Sequence, residues 1–443
     1  MLVLEAKLYG SSQQFAIIDE MIRTAGFVRN KCLRLWMDSP RTGQYDLSAY
    51  CKVLASEFEW AGKLNSQARQ ASAQRAWNAI KRFYDNCKKQ VSEKKGYPRF
   101  KKARSVEYKT SGWKLSEDCQ SLTFTDKFKA GTFRIRGALD LNYYDKFLIK
   151  RVRVIRRADG YYAQFCIQCD KTETVKPSHR AVGLDVGLNH FYTDSDGQTV
   201  EHPRFLRKSS QALKRLQRQV SRKKKGSNNR RKAINRLGRK HLKVQRQRKD
   251  FASKLARCVV SSNDVVVFED LRVRNLLKNH KLAKSISDAS WRQFFEWLEY
   301  YGKVFGKIVI GIAPEYTSQE CSACGERVKK TLSHRTHVCS CGCVLDRDHN
   351  AALNILAKGL VAIGRGGQSQ TAGLKPENAS GEINLCGMSE SLSRKLIRGR
   401  RNPASYPLGS MSGGCQELCY LEQTQSVPLP TGRDFGPSSG LQS

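Results

Sequence analysis

The apolar positions of this chain change period several times, and each change marks an element. From residue 11 to about 95 they recur at helical spacing, in Phe15, Ile18 and Ile22 and again in Ala73, Trp77, Ile80 and Tyr84, which predicts helices with one buried face. The pattern breaks at Gly96-Tyr97-Pro98, since proline cannot continue a helix and pushes the residue before it to extended geometry. From 106 to 178 the period shortens to two. Phe147 to Arg157 alternates basic and apolar residues over much of its length, Asp159-Gly160 supplies a turn, and Tyr161 to Cys169 alternates again. That is a hairpin, with one face free to present arginine to phosphate. Ala181-Val-Gly-Leu-Asp185 reads as a short strand ending in a carboxylate, and Asp194-Ser-Asp-Gly197 as the turn of a second hairpin. Asp264 to Leu271 is a buried-type strand ending in two acids. A helix over Ser290 to Val304 carries Trp291, Phe294, Phe295 and Leu298 on one face. A strand over Lys307 to Ala313 and a helix over Asn350 to Lys358 complete the pattern.

Charge changes this picture. The 443 residues leave room for two or three domains, and they carry a net charge of +39. Such a field implies a polyanionic partner, with nucleic acid the default. No long apolar run or amphipathic anchor supports a membrane partner. The segment 207–249 holds 19 Lys or Arg and no Asp or Glu, with leucines at 206, 213, 216, 237 and 242. It reads as a helical hairpin turning near Gly226-Ser-Asn-Asn229, whose uncompensated charges need an anion alongside. Trp36, Trp60, Trp77 and Tyr97 are candidates for base stacking, but aromatics at helical spacing belong more often to a core. After residue 359 the composition shifts. The last 84 residues hold 13 Gly, 6 Pro and 12 Ser, which predicts a low-complexity, unfolded, non-catalytic tail over 360–443.

Two groups of residues carry chemistry. Cys321-x-x-Cys324 and Cys339-x-Cys341 supply four thiolates in two close pairs, the donor set of a tetrahedral structural zinc site. The second pair is one residue tighter than usual, so Cys343 is an alternative to Cys341 and His337 a weaker substitute. Fifteen cysteines in a large, lysine-rich chain do not resemble a secreted disulfide scaffold, and a reducing compartment with some thiolates on metal fits better. The N-terminus is too short in apolar residues for a signal peptide. The second group is acidic. Asp185 and Glu269 end strands, and Asp348 opens a helix. Carboxylates that converge can hold two magnesium ions, which prefer oxygen ligands, for hydrolysis of a phosphodiester. Asp270 and Asp346 are the adjacent competitors. Strand alternation lets only one of Glu269 and Asp270 face the metals.

At these residues the sequence resembles a known family. Gly183-Leu-Asp-Val-Gly187, Val267-Phe-Glu-Asp-Leu271, the Cys321 to Cys341 ribbon and Asp346-Arg-Asp-His-Asn-Ala-Ala352 are similar to the RuvC-type nuclease of the transposon-encoded TnpB proteins, relatives of type V CRISPR effectors. Gly96-Tyr-Pro-Arg-Phe-Lys101 and Trp291-Arg-Gln-Phe294 add to the resemblance, which covers about residues 1 to 359. It implies an α+β multidomain chain. A β-barrel wedge domain spans 1–10 and 106–178, and a helical recognition domain 11–105. An RNase H-like (RuvC) α/β nuclease spans 179–315 and 343–359, with the basic helical hairpin at 207–260 and an inserted zinc ribbon at 316–342. The resemblance implies an RNA-guided DNA endonuclease: a guide RNA from the transposon end directs cleavage of double-stranded target DNA beside a short adjacent motif. Asp185, Glu269 and Asp348 would be the catalytic, magnesium-binding acids. The expected location is the prokaryotic cytoplasm, associated with the nucleoid. A guided DNA-binding regulator would be expected to lack the metal acids, and all three are present. An unguided nuclease acting on branched DNA would not need so long a helical N-terminal segment. A DNA transposase should show a His-hydrophobe-His motif with a catalytic tyrosine, and none is apparent.

Overall fold

The computed structural model describes residues 2–89, 95–137, 141–330 and 334–369. The expectation of an unfolded tail concerns, from residue 370 onward, a segment outside the described residues. The chain groups into two compact units, Met1–Lys171 with Gln211–Lys243, and Thr172–Ser210 with Val244–Ser443. Among the described residues no helix is long and apolar enough to cross a membrane.

The first unit is a seven-stranded antiparallel sheet with a helical insertion. Strand β1 (Leu2–Tyr9) precedes four helices: α1 (Ser12–Asp38), α2 (Gln44–Glu57), α3 (Glu59–Gly62) and α4 (Ser66–Lys88). Then come β2 (Ser105–Tyr108), β3 (Trp113–Leu115), β4 (Ser121–Phe124), β5 (Gly131–Gly137), β6 (Ile149–Arg157) and β7 (Gly160–Ile167). The strand order is β2-β6-β7-β1-β5-β4-β3, so the first strand sits between two made over a hundred residues later. The expected barrel is a nearly closed sheet with β2 and β3 as its ends. Helix α1 starts at a reciprocal cap between Ser11 and Gln14, which satisfies two otherwise unpaired donors. The amide of Gln14 also donates to the carbonyls of Ala130 and Thr132, tying the helix start to the sheet. Trp36 and Trp77 pack in the helical core with Val28, Leu33 and Ile80, as the core reading expects. One buried acid braces this unit. Glu107 receives Arg153 through two nitrogens (2.9 and 2.7 Å), Arg151 at 3.1 Å and Arg75 at 3.6 Å. Burial pushes its carboxyl up, but these guanidinium groups outweigh that and hold it below its ordinary range.

The basic segment forms the expected helical pair, α5 (Phe205–Ser221) and α6 (Asn228–Ser262), turning at Gly226 with φ +85°. Arg230 donates to the carbonyls of Val220 (3.2 Å) and Lys223 (2.9 Å), closing the end of α5 with a positive charge.

The second unit holds a five-stranded mixed sheet of β8 (Ala181–Asp185), β9 (His190–Asp194), β10 (Thr199–Glu201), β11 (Val265–Glu269) and β12 (Ile308–Ile312), in the order β10-β9-β8-β11-β12. Strands β8, β11 and β12 run parallel, β9 pairs antiparallel with β8, and β10 pairs antiparallel with β9, which gives it the direction of β8. Two short helices, α7 (Val273–Leu276) and α8 (Ala283–Ala289), lead into α9 (Trp291–Phe305). A small antiparallel pair, β13 (Thr336–Val338) and β14 (Val344–Asp346), leads into α10 (Arg347–Ser369). The last helix therefore runs eleven residues past the expected end at Lys358.

Strand parity sorts the two faces of this sheet. Val266 and Phe268 pack with Leu255, Val259, Phe294 and Phe295 of α6 and α9. Val265 and Val267 pack with Ile355 and Leu356 of α10. Two glycines let α10 lie close. A Cβ on Gly183 would run into the backbone carbonyl of Ala352 and the backbone N of Leu356, and one on Gly359 into the buried side chain of Val267. Backbone cannot yield as a flexible side chain can, so Gly183→Ala is expected to cost about 1 to 3 kcal/mol of stability. Urea unfolding checks this. An unchanged midpoint would mean that α10 is not seated on β8.

Candidate active site

The same parity places the acids. On β8, Ala181, Gly183 and Asp185 alternate toward one face, and Gly183 lies under α10. On β11, Val265, Val267 and Glu269 do the same. The register pairs Gly183 with Val267 and Leu184 with Phe268. Asp185 and Glu269 thus come next, side by side at the carboxyl ends of two parallel strands, where open α/β sheets place their ligands. Glu269 is 7% exposed, whereas Asp270 is exposed. Asp346 is not a third acid of the group. Its carboxylate accepts the backbone N–H groups of Asp348 (2.8 Å) and His349 (3.2 Å), capping α10. That cap sets Asp348 in the first turn of the helix.

Asp185 lies within electrostatic reach of Glu269 and Asp348. Part of the Asp185 surface stays open, yet the groups packed round it strip most of its hydration. Burial first, then the negative charges of Glu269, Asp348 and Asp346, hold its carboxyl well above the usual range, with Arg347 opposing. Burial also raises Glu269, against a hydrogen bond from Thr317 and the charge of Lys358. Each of the other acids has a partner. The Thr317 hydroxyl donates to Glu269. Arg347 reaches one oxygen of Asp348 through two nitrogens (3.0 and 2.9 Å), and Arg335 lies 3.5 Å from the other. The three carboxylates are hard oxygen donors, the kind that magnesium takes, with positive charge already held at Asp348 by Arg347 and Arg335.

The cysteines form a second centre. The sulfurs of Cys321, Cys324, Cys339 and Cys341 all lie within 4.8 Å of one another, the only such donor group among the described residues. Cys321 and Cys341 are 3.7 Å apart, and Cys324 and Cys339 are 3.6 Å apart. A tetrahedron of thiolates at the zinc–sulfur bond length has edges of about 3.8 Å, so the set fits zinc. Each pair ends at a left-handed glycine, Gly325 (φ +82°) and Gly342 (φ +83°). The N–H of each glycine returns to the carbonyl of the first cysteine of its pair, Cys321 (2.8 Å) or Cys339 (3.0 Å). The one-residue gap of the second pair is thus a tighter version of the same turn. Cys343 lies near Cys321 but outside the four, and the buried His337 is engaged by Lys330. Burial opposes ionisation of Cys321, yet the backbone N–H groups of Cys324 and Ala323 bring its thiol down to about 5. A lowered pKa favours the thiolate, the form that binds metal.

Sequence reasoning missed the residues that join the two centres. Asn350 accepts from the N–H of Ser322 (3.0 Å) and donates to the carbonyl of Glu320 (2.8 Å). Asn354, one helical turn on, donates to the carbonyls of Thr317 (2.8 Å) and Glu320 (2.7 Å). Two buried amides at i and i+4 on α10 therefore clamp the loop that carries both Thr317 and the first cysteine pair. Their spacing on an otherwise apolar helix face was the available signal.

Known proteins resemble this chain. A family model described as "Probable transposase" (OrfB_IS605) matches residues 164–280, and one for a Cas12f1-like TNB domain matches residues 291–355. A protein of Streptomyces pristinaespiralis, described as a "Putative RNA-guided DNA endonuclease", is 34% identical over 392 residues, 84% of this chain and 92% of its own length. The chain belongs to the TnpB family. InsQ of Escherichia coli K12, another TnpB relative with the same description, is 30% identical over 337 residues, 72% of this chain and 80% of its own. A Cas12f1 chain, solved with sgRNA and target DNA, aligns with a TM-score of 0.49 at 14% identity, over 78% of this TnpB chain and 83% of its own.

Two outcomes are expected. Cys321→Ser should lower zinc content, measured by elemental analysis, and the melting temperature with it, because a structural metal contributes folding free energy. Unchanged zinc content would remove Cys321 from the ligand set. Asp185 gives the opposite sign. A carboxyl whose pKa rises on folding contributes stability that is complete at low pH and is lost as pH climbs through the folded value. In chelator at neutral pH, Asp185→Asn should melt higher than the parent, and the two curves should converge near pH 4. A variant that melts lower at neutral pH would show that Asp185 is not crowded by like charge.

Proposed function

We propose that this chain is an RNA-guided, magnesium-dependent DNA endonuclease with an RNase H-like (RuvC) catalytic domain. The observation that carries the proposal is the meeting of Asp185 and Glu269 at adjacent strand ends, with Asp348 near enough to raise the Asp185 pKa. Asp185, Glu269 and Asp348 would hold two magnesium ions, which supply an activated water and stabilise the leaving oxygen of the phosphodiester. The protein's own part is to fix the three carboxylates on rigid elements, two strand ends and one capped helix start. Thr317 orients Glu269, while Arg347 and Arg335 hold Asp348 and balance its charge. A guided DNA-binding regulator fits less well, because a protein that only binds has no need to crowd three acids together in a chain of +39.

The rest of the chain supports the guided reading. The helical segment within 11–105 and the sheet of 1–10 and 106–178 would serve as recognition and wedge domains, and 316–342 as the zinc ribbon. Sequence would be read by pairing between a guide RNA from the transposon end and the target, beside a short adjacent motif. The protein would then hold the heteroduplex mainly by its backbone, a task that suits the basic helical pair.

The test begins with purification of the chain from cells carrying its locus and sequencing of the RNA bound to it. One dominant RNA ending in a variable segment is expected, and it should direct cleavage of matching DNA in magnesium. Asp185→Ala and Asp348→Ala should reduce cleavage to background while RNA binding persists, since neither change alters the basic surfaces. Normal cutting by either variant overturns the assignment of the acids. Heterogeneous RNA, or none, points to an unguided nuclease.

A further inference from the structure

A cavity of about 340 Å³ lies in the second unit, lined by Leu188, Asn189, His202, Arg204, Arg207, Lys284, Ser285 and Asp288. Its size falls in the range of sites for small ligands or single nucleotide units. Its charge is one-sided. Arg204, Arg207 and Lys284 are exposed cations on its wall. The one acid, Asp288, is 6% exposed and already neutralised. Arg248 donates to it through two nitrogens (3.1 and 2.9 Å), and the N–H groups of Leu206 and Arg207 at the start of α5 donate to it at 2.9 to 3.1 Å. That helix start is thus occupied, and the three cations are left to a ligand.

The remaining lining residues are suited to the same kind of ligand. His202 is buried, and its Nδ1 accepts the N–H of Arg204 at 3.1 Å. Its Nε2 therefore carries the proton and is a hydrogen-bond donor. This contact also holds Arg204 in left-handed backbone geometry (φ +50°), which a bulky residue adopts only when its surroundings impose it. Asn189 and Ser285 add polar groups, and Leu188 an apolar wall.

Position in the chain ties the cavity to the acids. Leu188 and Asn189 form the tip between β8 and β9, three and four residues after Asp185. A chain of four residues spans at most about 14 Å, so the backbone of Leu188 and Asn189 stays within that distance of the backbone of Asp185. We propose that this cavity binds a phosphate, with its attached nucleoside, of the DNA strand being led to Asp185, Glu269 and Asp348. This rests on the nuclease reading and adds a second grip on the same strand. The cations supply charge-assisted hydrogen bonds to the phosphate oxygens, and the cavity volume accommodates one sugar and base.

The test uses the full chain with its guide RNA bound and a fluorescent single-stranded DNA oligonucleotide. Cleavage is silenced by withholding magnesium. Arg204→Gln with Lys284→Gln should weaken oligonucleotide binding on the order of tenfold. The slope of log affinity against log salt should flatten by roughly 1.4 for two lost charges. Guide RNA affinity and melting temperature should hold. Ser285→Trp, which fills the cavity without removing charge, should weaken the oligonucleotide as well. Unchanged oligonucleotide affinity and salt slope in both variants would overturn the proposal, as would a loss confined to guide RNA. Failure of the nuclease reading looks different: the parent chain would not cut DNA in magnesium, whatever these binding curves show.

Discussion

The close seating of α10 on the sheet is the constraint on which the candidate site depends. Asp185 and Glu269 are placed by strand register alone, but the third acid must arrive from elsewhere in the chain. It arrives because Gly183 and Gly359 leave no Cβ between helix and sheet, so the helix axis can approach more closely than side chains would permit. Ile355 and Leu356 then bury against Val265 and Val267, and that apolar contact stabilises a helix whose first turn carries Asp348. The acids repel: burial first, and then the charges of Glu269, Asp348 and Asp346, raise the Asp185 carboxyl. Burial of the apolar face on one side of α10 outweighs crowding of charge at its end, and the arginines at Asp348 reduce the crowding further.

The cysteine centre bears on the same helix. Asn350 and Asn354 grip the loop from Thr317 to Ser322 with four hydrogen bonds. The first cysteine pair begins at one end of that loop, and Thr317, which orients Glu269, stands at the other. A metal held by the cysteine turns would therefore stiffen the support of Glu269 without touching it. This is how outer groups act at many metal and acid sites: they hold the ligands in direction and leave the chemistry to them.

Much of this is legible in the sequence, for identifiable reasons. Period-two alternation alone separates Glu269 from Asp270, because neighbours on a strand face opposite ways. The spacing of the cysteine pairs marks a metal centre, although the choice between Cys341 and Cys343 needs the turn geometry at Gly342. The length of α10 is not legible, because the glycines at 359 and 364 look like helix breakers. Gly359 is instead a contact point, and the buried partner Val267 that makes it so is ninety-two residues away. Thr317, Asn350, Asn354 and Arg347 escape a reading of the sequence for a similar reason. Each is an ordinary residue whose role exists only once a distant segment lies against it. The capping role of Asp346 is local, and its place at a helix start is enough to suggest it.

The two units are not consecutive stretches of chain: 211–243 counts with the first, inside the span of the second. Synthesis runs from one end, so β8 leaves the ribosome eighty residues before its partner β11 and still longer before α10. During that interval Asp185 ends a strand that has β9 beside it but neither β11 nor its covering helix. The five-stranded sheet is thus a late assembly of widely separated segments, the kind of topology that folds slowly and leaves sheet edges open meanwhile. The N-terminal sheet faces a shorter delay, since its last strand ends at Ile167. The order of translation makes the helical and barrel-like part available first, and the five-stranded sheet with its acids only after nearly all of the described chain has been made.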